Sequence, residues 1–540
     1  MENSSKNYST WTRSDILRNT TMGYLESLDR QNLPTLREIS TRLVNRTAEA
    51  VEWHNSRCPE SQRIPVPLGL CPAQIADVIL AVRHVVRVSF MEGCTDSEND
   101  LLAIYQEDGP DEGTYISQDT AFDSIAQELN YAIDSRGRRE VRETLFRKAG
   151  CAAPCSDPDL VAVNNGIFNY RTKQLLPFSP EHIFLSKSRV DYKEDPASPV
   201  LHNPDDGTDW DVESWVAELS DDPETVNLLW EIMGAIIRPN VRWNKSAWFY
   251  SSTGCNGKGT LCELMRNLCG KGSSVSIKLA DFSKEFRLAP LVHASAIITD
   301  ENDTGEIIDR AGNLKAIITN DVIQINRKFR QPVDYRFRGF MVQCVNEMPK
   351  VRDKSDSFYR RQLLVPFGKC FTGAERTYIK DEYMGRKDVL EYVLHKVLNM
   401  DYYKLSEPRA CKWALADYRE LNDPVREFWN ELRDRFVWDL LPNPFLYELY
   451  RAWARRYNPS SQLPDNKPFH NELRKLVEAD PDWEVMDTPM RPGGRMDRPE
   501  GLVLEYRLAG WGSSEGTAVP SLEKRQKTYR GLRRVQKAAA

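Results

Sequence analysis

Apolar positions recur at three- and four-residue spacing through Leu17–Val44, Pro72–Val88 and Phe122–Lys148, which predicts a mostly helical region over residues 1–155. The acidic stretch Thr95–Gly113 carries Gly-Pro and Glu-Gly turn signals and reads as a loop between those helices. From Leu160 the pattern shortens. Val161–Asn169 and Gln174–Leu176 read as strands about an Asn-Gly turn, the start of a small α+β domain over 156–240. Helices over Val212–Leu219 and Asp222–Ile237, stopped by Pro239, close that domain. Three nearly apolar runs follow, Ser246–Ser251, Ala294–Thr299 and Gly339–Val345, as expected of strands buried on both faces of a parallel sheet. Each ends in polar residues, which an open α/β sheet gathers at its carboxyl edge. This third region spans 241–405. A fourth, 406–510, shows helices over Asn443–Tyr457 and Lys467–Val477, a basic turn Arg491–Arg498 and a strand over Gly501–Tyr506, the pattern of a winged helix in which Arg474 and Lys475 lie on the recognition helix. Residues 511–540 are Gly/Ser-rich, then basic, and read as a disordered tail.

Composition narrows the classes. The chain has 540 residues, enough for several domains, with 41% hydrophobic and 28% charged positions, which excludes collagenous and wholly disordered chains. No apolar run approaches the roughly 18–20 residues that cross a bilayer and the start is polar, so a cytoplasmic chain without membrane contact is expected. Eleven cysteines form no tight framework and read as reduced thiols. Net charge is −6, so nucleic acid is not attracted to the whole surface; Asp205–Glu224 holds nine acidic residues, and Ser521–Ala540 holds seven Lys/Arg against one Glu. Any contact with DNA is therefore expected in a lined channel or through the tail.

The loop after the first apolar run carries the chemistry. In Ser251-Ser-Thr-Gly254-Cys255-Asn256-Gly257-Lys258-Gly259-Thr260, glycines allow backbone N–H groups to turn inward on phosphate oxygens, Lys258 bridges the outer phosphates, and the helix that follows adds its positive end. This phosphate-binding loop departs from the G-x-x-x-x-G-K-[ST] pattern at Ser252 and Gly259, which leaves Thr260 as the candidate hydroxyl for Mg²⁺. Asp300 and Glu301 end the second run; Asp300 would hold Mg²⁺ and Glu301 would polarise the attacking water. Asn346 ends the third run, where an amide orients that water. Arg360 and Arg361 precede another apolar run, Gln362–Phe367, as candidates to neutralise charge in a neighbouring subunit's site.

In that order these motifs resemble the superfamily 3 helicases, in the phage and plasmid primase-helicase branch related to the poxvirus protein. The resemblance covers Leu160–Pro366, and extends to Ala103–Lys148 as a helical preface and to Asp423–Leu508 as a winged-helix end. It implies an α/β fold with an AAA+-like P-loop NTPase core, ATP and Mg²⁺ as cofactors, and ATP-driven unwinding by a homo-oligomer, a hexamer, that encircles DNA. It also implies a DNA-gripping hairpin, for which Val322–Pro332 is the match, with Arg327, Lys328 and Phe329 at its tip. A separate primase or loader is the expected partner, since the helical start offers no clustered carboxylates for priming. Two other readings stay open: a DNA-binding replication initiator that uses ATP as a structural switch, and a P-loop kinase.

Overall fold

The computed structural model describes residues 11–91, 99–270, 272–292, 294–305, 307–308, 310–328, 332–372, 376–457, 465–511 and 526–535. The architecture is mixed α/β, in two compact units, Met1–Lys412 and Trp413–Ala540. Among the described residues no helix is long and apolar enough to cross a membrane.

At the start of the first unit, helices Arg13–Leu25, Leu36–Asn55, Pro72–Val82, Asp119–Leu129 and Ser135–Lys148 close on a core that includes Ile39, Leu43, Ile75, Ile79 and Leu145. Thr12 and Thr35 begin the first two helices with capping boxes to Asp15 and Glu38, satisfying backbone donors that would otherwise be orphaned. The region is not only helical. A four-stranded sheet runs Tyr115–Ile116, Leu101–Tyr105, Val85–Val88, Gly150–Ala152. The helix expected over Pro72–Val88 stops at Arg83, whose ψ of 149° is extended, and β-branched Val85, Val86 and Val88 continue as a strand. The stretch Thr95–Gly113, expected as a loop, likewise contains the strand Leu101–Tyr105, whose apolar residues pair with Val85–Val88 inside acidic flanks.

The module after it holds the antiparallel sheet Leu160–Val163, Gly166–Asn169, Gln174–Leu176 and the helices Val212–Glu218 and Pro223–Ile237, the latter buried on nearly every face. The central sheet is parallel and five-stranded, in the order Ser274–Val275, Ala296–Thr299, Phe340–Val345, Ser246–Tyr250, Gln362–Pro366. Its middle strands are buried along their length apart from Tyr250, as their nearly continuous apolar runs require. Fully buried side chains such as Trp248 and Phe249 each contribute about 1.5–3 kcal/mol of transfer free energy. The strand Ser246–Tyr250 lies beside Phe340–Val345, distant in sequence, so the chain order switches there and a crevice opens beyond the carboxyl ends. The hairpin Val322–Ile325 with Val333–Arg336 is antiparallel, Ile325 opposite Val333.

The second unit departs most from expectation. Its sheet is antiparallel, Leu440–Pro442, Gly531–Arg534, Trp483–Val485, with the tail segment in the centre. The tail expected to be disordered therefore supplies a core strand at 531–534, with Leu532 buried beside Trp483 and Tyr529 in the same core; residues 512–525 and 536–540 lie outside the described residues. Gly501–Tyr506, expected as a strand, is a short helix, Gly501–Glu505. Leu502, Val503 and Tyr506 are buried at helical spacing, which explains the difference. Arg491–Arg498, expected as a basic turn, contains a 3-10 turn, Gly493–Met496, anchored by buried Met496, and leads into that helix instead of a strand.

Candidate phosphate-binding site

The loop from Ser251 to Gly257 leaves the strand Ser246–Tyr250 and enters the helix Lys258–Cys269. Two facts make Gly257 necessary. Its φ is +82°, and a Cβ there would stand 2.5 Å from Leu219 Cδ2. Cys255 also adopts positive φ, 52°. The turn is braced by the Phe371 N–H donating to the Cys255 carbonyl at 2.7 Å and by Thr253 N–H donating to Ser251 Oγ at 3.3 Å.

Lys258 is the first residue of the helix and only 6% exposed. Its Nζ donates to Asn346 Oδ1 at 3.0 Å, across the switch point of the sheet. Burial holds its pKa below the ordinary lysine range, while the Cys344 and Cys262 thiols act the other way. A buried ammonium with one amide acceptor is under-neutralised, so an anion arriving at this loop relieves its desolvation. The two thiols beneath it, Cys262 and Cys344, stand 3.4 Å apart; their hydrogen bond and burial push the Cys262 thiol well above its ordinary value.

Asp300 and Glu301 follow the strand Ala296–Thr299, whose Thr299 lies opposite Gln343, three residues before Asn346. Register therefore brings Lys258, Asp300 and Asn346 to one edge. Glu301 is exposed at the turn. Asn302, which sequence reasoning passed over, pins that turn: its Nδ2 donates to Gln343 Oε1 and to the Cys344 carbonyl, each at 3.0 Å, and its Oδ1 accepts from Leu279 N–H at 2.8 Å. Arg266 was also missed. It pairs with Asp300 and, at 2.8 Å, with Glu263; burial opposes its charge, and Asp300, Cys262 and Glu263 together more than offset this. Arg266 sits two turns along the helix from Lys258, and nothing in spacing alone names its partner 34 residues away.

Beside the loop opens a cavity of about 600 Å³ lined by Trp215, Gly257, Thr260, Phe371, Arg376 and Lys380. Thr260 lines this cavity, whose charges are mixed, Asp209, Asp211 and Glu218 beside Arg376 and Lys380, while Asp300 is engaged by Arg266. Among the described residues no three His, Cys, Asp or Glu side chains cluster as a metal site. A Mg²⁺ here would depend on phosphate oxygens and water, its ordinary ligands beside a nucleotide.

Arg360 and Arg361 lie elsewhere. The Arg361 carbonyl accepts from Ser246 N–H at 2.8 Å, at the amino end of the strand whose carboxyl end carries the loop. Five residues of strand separate them from it, ~16 Å at the usual rise. They cannot act on the loop of their own chain. Arg327 and Lys328 follow the strand Val322–Ile325 at the hairpin turn, with Lys328 exposed; Phe329 lies outside the described residues.

Three family models match parts of the chain: "D5 N terminal like" over residues 106–219, a "Family of unknown function (DUF5906)" over 249–361, and "Poxvirus D5 protein-like" over 420–494. The segments before and after the phosphate loop region are thus D5-like. No curated protein matches the chain. Among solved structures, "The apo structure of NrS-1 C terminal region (305-718)" is 13% identical, with 78% of this chain and 97% of that chain covered at a TM-score of 0.44. "The A form apo structure of NrS-1 C terminal region-CTR" is 15% identical, covering 75% and 86% at 0.41.

Proposed function

We propose that the chain is an ATP-driven DNA helicase of mobile-element replication, built on a P-loop NTPase core, with a winged-helix end, and working as a homo-oligomeric ring. The observation that carries this reading is the Lys258–Asn346 contact, 3.0 Å, at the carboxyl edge of a parallel sheet directly after a glycine-bearing loop. The D5-like segments on either side support the family that the motifs resemble. In this reading Lys258 holds the outer phosphates, Glu301 accepts the proton of the attacking water, and Asn346 orients that water. A Mg²⁺ bound there would neutralise charge between the phosphates, and Asp300, once released from Arg266, would hold it through water. Arg360 or Arg361 acts on the next subunit, because the sheet places both at the edge away from the loop. Lys328 on the hairpin grips DNA.

A second reading, an initiator that binds ATP as a structural switch, draws on one fact: Asp300, the expected Mg²⁺ ligand, is engaged with Arg266. ATP turnover with and without single-stranded DNA separates the two. Turnover that DNA stimulates and Lys258→Ala abolishes is expected; slow turnover indifferent to DNA would favour the switch, and normal turnover by Lys258→Ala would remove the loop from the mechanism.

A further inference from the structure

The glycine-bearing loop lacks a side chain that the G-x-x-x-x-G-K-[ST] pattern carries. In that pattern the residue after the lysine supplies a hydroxyl for Mg²⁺; here it is Gly259, the second residue of the helix Lys258–Cys269. A cation from a distant part of the chain stands at that place. A Cβ on Gly259 would meet the Lys380 Nζ at 3.7 Å and, outside the loop itself, no other atom of the described residues within 4 Å. Lys380 also lines the cavity beside Gly257 and Thr260.

Packing fixes the backbone that carries this lysine. It belongs to the short helix Thr377–Asp381, which lies against the helix Lys258–Cys269. Ile379 is buried in one core with Leu261 and Met265, and Asn267 Nδ2 donates to the Met384 carbonyl at 3.0 Å. Tyr378 Oη donates to Asp206 Oδ2 at 2.7 Å and ties the same short helix to the segment before Val212. The Lys380 ammonium itself is exposed and has no ion-pair or hydrogen-bond partner among the described residues. Of the three carboxylates lining the cavity among the described residues, Asp209 is engaged with His202 Nδ1 at 2.8 Å and Asp211 accepts from Ser214 N–H at 2.9 Å. Glu218 remains as the competing partner.

We infer that Lys380 is a second phosphate-binding cation of this loop, placing an ammonium where the pattern has a hydroxyl for Mg²⁺. The inference rests on the reading of the loop as a nucleotide site. A triphosphate carries more negative charge than Lys258 and a helix end together neutralise, and a further fixed cation adds charge-assisted contacts. Lys380 and Mg²⁺ then do overlapping work, so the dependence on Lys380 is greatest where Mg²⁺ is withheld.

The test measures, by isothermal titration calorimetry on the full chain, the affinity for ATP in EDTA, and for the non-hydrolysable analogue AMP-PNP in Mg²⁺. Lys380→Ala should weaken ATP binding in EDTA by at least about tenfold and AMP-PNP binding in Mg²⁺ by about threefold, while Lys380→Arg stays within about threefold of the parent in both. Thermal unfolding without nucleotide should not move. Adding Gly259→Ser to Lys380→Ala should restore binding in Mg²⁺ but not in EDTA, because it returns the hydroxyl. Parental affinities for Lys380→Ala in both buffers, with binding lost in Lys258→Ala, overturn the role of Lys380 and leave the proposed function standing. A Lys380→Ala chain that melts earlier without nucleotide yet binds as the parent does also overturns it, and assigns the lysine to Glu218. ATP that binds with the expected dependence on Lys380 but is never hydrolysed, with DNA or without, supports the site and removes the helicase reading. A parental chain that binds neither nucleotide overturns both.

Discussion

The two compact units solve the same problem, burying a sheet edge to edge, in opposite ways. In Met1–Lys412 the strands of the central sheet are continuous apolar runs, and the chemistry hangs from their carboxyl ends. In Trp413–Ala540 the central strand, Gly531–Arg534, sets Leu532 beside two consecutive arginines whose charges are compensated: Arg533 by Glu484, and Arg534 by Asp439 at 3.0 Å. The first kind of strand declares itself by hydrophobicity. The second is recognisable only once its partners are known, because pairing residues from 440, 484 and 532 makes a basic segment into an interior one.

That difference sets the largest expected effect. Deleting residues 526–540 removes Leu532, Tyr529 and the backbone partners of both neighbouring strands. At ~1.5–3 kcal/mol for each of these two buried side chains, before any hydrogen bonds, the second unit should lose about 3–6 kcal/mol and unfold. Fluorescence of its tryptophans, among them Trp429, Trp438 and Trp483, would follow the change. A deletion that leaves the unfolding transition in place would mean the tail strand is incidental.

The next effect belongs to the first unit alone. Glu301→Gln keeps the exposed turn that Asn302 pins, so thermal unfolding should not move, while ATP turnover should fall by about 10²–10⁴, the range for losing a general base. Parental turnover would make Glu301 a turn residue.

Lys328→Ala should have a more selective effect. The side chain is exposed at the hairpin and forms no part of the Lys258 loop, so basal hydrolysis should hold while strand separation, read with a forked fluorescent duplex, falls by at least about tenfold. Full unwinding would remove the hairpin from the mechanism.

Legibility followed the range of the contacts. The glycine-bearing loop and the three polar strand ends are local patterns, and Lys258, Asp300, Glu301 and Asn346 were named from them as candidates. Arg266 and Asn302 were not, because each acts on a residue that packing alone brings near, Asp300 for one and Gln343 for the other. Val85–Val88 was misassigned because the apolar periodicity of the preceding helix continued into it, and only its β-branched residues signalled the change. Gly501–Glu505 was misassigned the other way: five residues are too few for a period of 3.6 to stand out.

The smallest effect tests why Lys258 is buried at all. Its pKa is depressed from the ordinary 10.5, chiefly by desolvation, so without nucleotide the charged form destabilises the fold. The sign follows from linkage: the unfolded chain binds the proton more tightly, so the penalty is fully present below the folded pKa and fades as pH rises toward 10.5. Lys258→Met keeps the aliphatic length and removes the charge. It should raise the nucleotide-free melting temperature of the first unit slightly, by about 1–2 °C near neutral pH. The gain should shrink in alkaline buffer, and the stabilisation that ATP gives the parental chain should disappear. A variant less stable than the parent at neutral pH would show that the Lys258–Asn346 hydrogen bond outweighs desolvation, and that the lysine is held as part of the structure instead of being kept under-neutralised for an incoming phosphate.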